Sequence, residues 1–247
     1  ISRFNESGDT KNFPVKAEFF QVVSSALDIG KKTQGAFDIT LGPLIDAWGF
    51  DKTGRHINKP SAELIASLKP YVGLDKVTAE NSGLRKEDPR VRINLSGIAK
   101  GYAVDSIAAL VEQAGAERFM VEIGGEIAVK GMNAKGRPWK LGINRPTPEA
   151  SRLELIGTVE LEKGAMATSG SYRNFFSREG RRYHHIIDPR TGAPVLHTLV
   201  SVTVIAPNCM QADALATAAM VLGQEAFEKS LIHFPKVSAL FVHQKGD

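Results

Sequence analysis

Past Gly115 the hydrophobic period of this chain changes from helical to two, and that change restricts the fold more than any other feature. Upstream, residues 18–32 carry Phe19, Val22, Val23, Ala26, Leu27 and Ile29 at the spacing of an amphipathic helix ending near Gly30. Residues 42–48 and 61–68 read as shorter helices, the latter opened by Ser61 as a cap, with a Gly/Lys/Pro-rich excursion over 51–60 between them. Residues 35–40 read as a short extended piece, 85–90 as a charged turn, 91–95 as a strand, and Ser96 opens a long helix reaching about Ala114. Downstream, residues 118–123, 126–130, 139–144, 153–161, 183–187 and 201–206 alternate as strands, several joined by glycine turns of hairpin length. A helix around 212–219, another over 224–233 and a strand at 237–242 complete the reading. Hairpin-length connections require antiparallel pairing, so the expected class is α+β: mixed, largely antiparallel sheets packed with helices.

The 247 residues, 43% hydrophobic and 23% charged, can bury a sizeable core as one large domain or two packed lobes. With no repeat, low-complexity tract or linker, a single domain over 1–247 is expected. The net charge of +4 and pI of about 9.1 are spread along the chain, with only Lys31–Lys32 and Arg178, Arg181 and Arg182 grouped, so no nucleic-acid partner is expected. No run approaches the ~20 apolar residues of a membrane span, and a membrane link would need an anchor outside this chain. The single cysteine, Cys209, excludes an internal disulfide and reads as a small packed residue at a helix start. Beginning at Ile1, the chain reads as a mature or trimmed product whose localisation its own residues do not give.

Polar groups gather at five places. In Ala212-Asp213-Ala214-Leu215-Ala216-Thr217, helical spacing stacks Asp213 and Thr217 on one face among alanines. Two oxygen donors there suit a hard cation such as Mg2+, although a packed helix with one solvated Asp has the same pattern. Ser96 to Gly101 is a strand-to-helix turn whose new helix offers N–H groups to an anion, with Lys100 beside it. Thr168-Ser169-Gly170-Ser171-Tyr172 is either a plain polar turn or a hydroxyl-lined one. Alternation sends His184 and His185 to opposite faces of a strand, ahead of the turn at Asp188-Pro189, and a His beside an Asp is either a structural pair or a base. In Gly35-Ala36-Phe37-Asp38, Phe37 fits the core and Asp38 a cap. Together these are the parts a magnesium-bound diphosphate ligand requires.

These segments, with Gly124-Gly125, His185-Ile186-Ile187-Asp188-Pro189-Arg190-Thr191-Gly192 and the whole run from Ser96 to Asp105, resemble in order the motifs of the FAD:protein FMN transferase (ApbE) family. The resemblance implies an ApbE-like, T-fold-like flavin transferase that binds FAD with Mg2+, moves FMN onto a Ser or Thr hydroxyl of a partner protein, and releases AMP. The alternatives are an FAD pyrophosphatase releasing FMN and AMP, or a non-enzymatic FAD-binding protein. Family acceptors include subunits of sodium-pumping NADH:quinone reductase and Rnf-type complexes. By the same resemblance, Gly97 through its carbonyl, Asp213 and Thr217 hold the metal. Ala36, Phe37, Asp38, Asn94, Lys100, Thr168, Ser169 and Ile187 line the flavin nucleotide, and His185 and Asp188 are catalytic, His185 as base and Asp188 as its orienting partner. Asn94 stands where the family commonly has Asp, and Ala216 where some relatives carry an acid. The family's export signal, opening strand, an aromatic FAD contact and part of its C-terminal tail are expected to lie outside this chain. The implied location is the periplasmic side of the bacterial inner membrane, as a membrane-associated lipoprotein.

Overall fold

The structure is a computed structural model and describes residues 1–50, 59–151, 153–172, 174–178 and 181–244. Most of the expected excursion over 51–60, namely residues 51–58, lies outside the described residues. In chain order the helices are α1 (Ser2–Glu6), α2 (Ala17–Lys32), α3 (Gly42–Ala47), α4 (Ala62–Leu68), α5 (Ala99–Gln113), α6 (Cys209–Leu222) and α7 (Gln224–Ser230). The strands are β1 (Phe13–Pro14), β2 (Val77–Glu80), β3 (Gly83–Lys86), β4 (Phe119–Ile123), β5 (Glu126–Lys130), β6 (Trp139–Asn144), β7 (Leu155–Leu161), β8 (Lys163–Gly170), β9 (Phe175–Arg178), β10 (Arg181–His184), β11 (Ile187–Asp188), β12 (Ala193–Pro194), β13 (Leu199–Ala206) and β14 (Ser238–His243). Every pair of these strands runs antiparallel, the hairpin pairs β2-β3, β4-β5, β6-β7 and β9-β10 as their spacing requires. Among the described residues no helix is long and apolar enough to cross a membrane.

Two compact units divide the chain. The first takes residues 1–95 and 174–196 and carries a three-stranded sheet, β1-β3-β2, with the ribbons β9-β10 and β11-β12. Its core joins Leu41, Leu44 and Trp48 to Tyr183 and Ile187. The Trp48 indole donates to the Gly192 carbonyl at 2.8 Å, and its ring stacks on Tyr183, which stacks in turn on Phe176. Lys86 is 1% exposed, and its ammonium donates to the carbonyls of Phe4, Asn5, Pro89 and Val91, tying α1 to the end of β3. Burial pushes that lysine below its ordinary pKa, because an ammonium is costly to desolvate.

Several expectations change in this unit. Helix α2 runs past Gly30 and stops at Thr33, where Gly35 N–H bonds the Gly30 carbonyl and Gln34 N–H the Lys31 carbonyl, with Gln34 left-handed at φ 53°. Residues 35–40 form turns and not an extended piece, because Thr33 Oγ1 accepts from Phe37 N–H and Asp38 Oδ1 from Thr40 N–H, which replaces a ladder. Residues 91–95 make one isolated bridge, Leu41 to Arg92, in place of a strand, since the N–H of Ile93 goes to the Asn5 side chain.

The second unit, 96–173 with 197–247, is built on one five-stranded sheet in the order β14-β13-β8-β5-β4, with β6-β7 as a separate hairpin. Helices α5 and α6 cover one face, where Val104 and Cys209 meet Val121, Ala128 and Ala165. The β6-β7 hairpin covers the other, where Leu141 and Ile143 meet Ile127, Val129 and Met166. A sheet buried on both faces cannot alternate cleanly in polarity, and its middle strand β8, Lys-Gly-Ala-Met-Ala-Thr-Ser-Gly, has one β-branched residue, Thr168, and no aromatic one. Helix α6 is buried almost all round, with Ala212, Ala214, Leu215, Ala216, Ala218 and Ala219 inaccessible.

Candidate functional site

On the second unit the site grows from the way α5 and α6 cap each other. The amides at the start of a helix lack internal partners. Ile98, which precedes α5, offers no side-chain cap, and the Gly101 N–H is taken by Asp213 Oδ2 of α6 at 3.0 Å. In return Asp105 of α5 accepts the N–H groups of Cys209 and Met210, each at 2.8 Å, at the start of α6, where Asn208 also caps Gln211 N–H. The exchange requires close approach: a Cβ on Gly101 would lie 2.3 Å from the Cys209 carbonyl oxygen. Burial raises the carboxyl pKa of Asp105 despite its two amide donors and pushes the Cys209 thiol up.

Asp213 is 4% exposed, and burial lifts its carboxyl to about 6 against the opposing pull of the Gly101 amide and the Lys100 charge; Glu126 pushes the same way as burial. One turn on, Thr217 Oγ1 lies 3.2 Å from Ser169 Oγ of β8. The expected pairing of Thr168 with Ser169 is divided by the pleat: Thr168 faces Thr203 across the ladder, their hydroxyls 2.8 Å apart, on the side away from Thr217. Both residues belong to β8 and not to a turn. Gly97 sits in the turn just ahead of α5. Lys100, the second residue of α5, donates to Glu126 Oε1 at 2.5 Å. Glu126 follows Gly124 and Gly125, whose φ of 64° and 104° make the two-residue turn joining β4 to β5.

Among the described residues no three or more of His, Cys, Asp and Glu gather to hold a metal. A cation on α6 would therefore rest on a mixed set of oxygens. The fit to Mg2+ is chemical: Asp213 is a buried carboxylate whose Oδ2 alone receives a hydrogen bond among the described residues, and a hydroxyl stands one turn away. A divalent ion would offset the desolvation that raises its pKa.

On the first unit, Ala36, Phe37 and Ile187 are buried, Ile187 in the Trp48–Tyr183 core. Asp38 Oδ1 accepts from the N–H and hydroxyl of Thr40, at 2.7 and 2.6 Å, and burial outweighs these bonds to raise its pKa. Asn94 N–H donates to the Ile39 carbonyl at 2.7 Å. The strand expected over 183–187 is interrupted: β10 ends at His184, and His185 follows in a bend where its Nδ1 lies 3.2 Å from the Asn174 carbonyl and its ring stands edge-on to Phe50. Asp188 directs its carboxylate to Arg190, with bonds of 2.7 to 3.1 Å to the guanidinium, and stays below the usual carboxylate range because that bonding outweighs burial. Asn174, Phe50 and Glu126 were not singled out by sequence reasoning, and Asp105 only as the last residue of the run from Ser96; the GG turn was the local signal ahead of Glu126.

The ApbE family model matches residues 1–241. An FAD:protein FMN transferase of Klebsiella pneumoniae (strain 342) is 42% identical over 229 residues, covering 91% of this chain, and the chain spans 65% of that relative's length. One of Escherichia coli (strain K12) is 39% identical over 251 residues, covering 100% of this chain and 71% of the relative. The structure of flavin transferase ApbE from Vibrio cholerae superposes with a TM-score of 0.89 at 38% identity, covering 100% of this chain and 77% of that one.

Proposed function

The chain belongs to the ApbE family, and from that premise we propose that it transfers FMN from FAD to a Ser or Thr hydroxyl of an acceptor protein, releasing AMP. The observation that carries the reading is Asp213: a buried carboxylate with Oδ2 on the Gly101 amide and the Thr217 hydroxyl one turn away. Asp213 and Thr217, with the Gly97 carbonyl, would hold Mg2+, which when bound supplies positive charge for the diphosphate of FAD. The acceptor oxygen forms a bond to the FMN-side phosphorus, the bond from that phosphorus to the AMP oxygen breaks, and AMP leaves with the electron pair. His185 takes the hydroxyl proton at Nε2, its Nδ1–H directed to the Asn174 carbonyl; Asp188, engaged with Arg190, braces the turn beyond it. Lys100 meets phosphate charge, and Asp38 with Asn94 lines the nucleotide. The acceptors are subunits of sodium-pumping NADH:quinone reductase or Rnf-type complexes, on the periplasmic side of the inner membrane.

The test is incubation with FAD, MgCl2 and such an acceptor. An FMN-sized mass gain on the acceptor, matched by AMP and abolished by EDTA, is the expected result. AMP without a mass gain would make the protein a pyrophosphatase, and FAD bound with no AMP a flavin-binding protein.

A further inference from the structure

Glu126 opens β5 on the face that α5 covers, and it is 2% exposed. Its Oε1 receives the Lys100 ammonium, while Oε2 is buried with no hydrogen-bond partner among the described residues. Lys100 stands in the first turn of α5, where a cation opposes the helix dipole, and its side chain is 49% exposed. A lysine paired with an acid gains little when both are solvated, because its flexible stem must be ordered for a screened attraction. Here one partner is sealed under the helix and cannot turn to water, so the carboxylate charge is left to one ammonium and fixes its direction. The next residue, Gly101, is the one whose amide holds Asp213.

We propose that Glu126 is a positioning residue, holding the Lys100 ammonium ready for the phosphate charge of the nucleotide substrate. The inference rests on the flavin-nucleotide reading above. An ion pair that merely braced α5 against β5 would change stability and leave nucleotide affinity alone. A positioning residue changes affinity, and only while the lysine is there to be positioned.

The experiment measures FAD affinity with Mg2+ present, by quenching of flavin fluorescence, for wild type, Glu126→Gln, Lys100→Met and the double variant, with a melt of each. Glu126→Gln is expected to weaken FAD binding about tenfold, the lower end of what partners of ligand-binding groups cost. The double variant is expected to match Lys100→Met within about twofold, since Glu126 acts through the lysine. If Glu126→Gln does not fold, Glu126→Asp serves: it keeps the charge but retracts it by one methylene, and it should weaken FAD binding without lowering the melt by a comparable factor in the folding constant. Wild-type affinity in the folded Glu126 variant, or losses that multiply in the double variant, overturn the inference and leave the transferase reading standing. A wild-type protein that binds no FAD overturns both.

Discussion

Asp213 uses one carboxylate to finish a neighbouring helix and, in the proposed reaction, to grip a cation; its environment makes the two uses separable by pH. Unfolded, the carboxyl titrates near 3.8, and burial lifts it to about 6 in the fold. Between those values the folded state carries the extra proton, so this group's contribution to metal-free stability is fully present below about pH 4 and is lost as pH rises through 6. At about 1.4 kcal/mol per pH unit the full decline is about 3 kcal/mol. Mg2+ binds the ionised form and should flatten that decline. Asp213→Asn is expected to reduce the decline in metal-free melts across pH 4 to 7, leaving the part that the buried Asp38 and Asp105 carboxyls contribute, and to abolish Mg2+-dependent AMP release; a slope unchanged in the variant would mean that Asp213 does not titrate there. Asp213 and Thr217 could be placed together from the sequence because short side chains at helical spacing leave few alternatives to a shared face, and Lys100 could be placed at a helix start because it follows the strand-to-helix turn at Ser96. Glu126 and Lys86 were not, because an acid after a turn and a lysine in a strand look solvated until the chain is closed over them. Thr168 was misplaced for a related reason: hydroxyl runs favour turns, and only the neighbouring strands of the sheet hold this one extended.

Among the elements, the contact between α5 and α6 does most to shape the proposed metal site. Gly101→Ala would place a methyl carbon 2.3 Å from backbone, a clash no rotamer relieves. The helices must part, and the amide then loses Asp213. The expected loss is about 1–3 kcal/mol of stability in a denaturant titration, with a higher Mg2+ concentration needed for half-maximal activity. An Ala variant with wild-type stability and wild-type Mg2+ dependence would show that the helices have room to spare. Element by element, β5 and β6 were legible to the residue, since alternation and turn glycines agree there. The central strand β8 was not, because its small residues are chosen for the helix lying on them and carry little strand bias of their own. The short β1, β2 and β3 of the first unit escaped for want of length: two to four residues hold too few alternations to read.

At the scale of the molecule the chain passes from one unit to the other three times, after Leu95, after residue 173 and after Leu196. None of these junctions has a linker's composition, so a sequence reading had no boundary to find. The first unit's core depends on both of its segments, with Leu41, Leu44 and Trp48 from one and Tyr183 and Ile187 from the other. A fragment of residues 1–95 is therefore expected to melt without cooperativity and to lack the near-ultraviolet dichroism of Trp48, whereas the intact chain shows both; a fragment with a sharp melt would mean the first segment folds on its own. The same interleaving bears on how the protein is made. When Trp48 is translated, the aromatic partner it stacks on, Tyr183, is still more than a hundred codons away. At roughly 5–20 residues per second, the nascent segment that carries Trp48 waits for many seconds with its apolar surface uncovered, long enough for a holding chaperone to be its first partner.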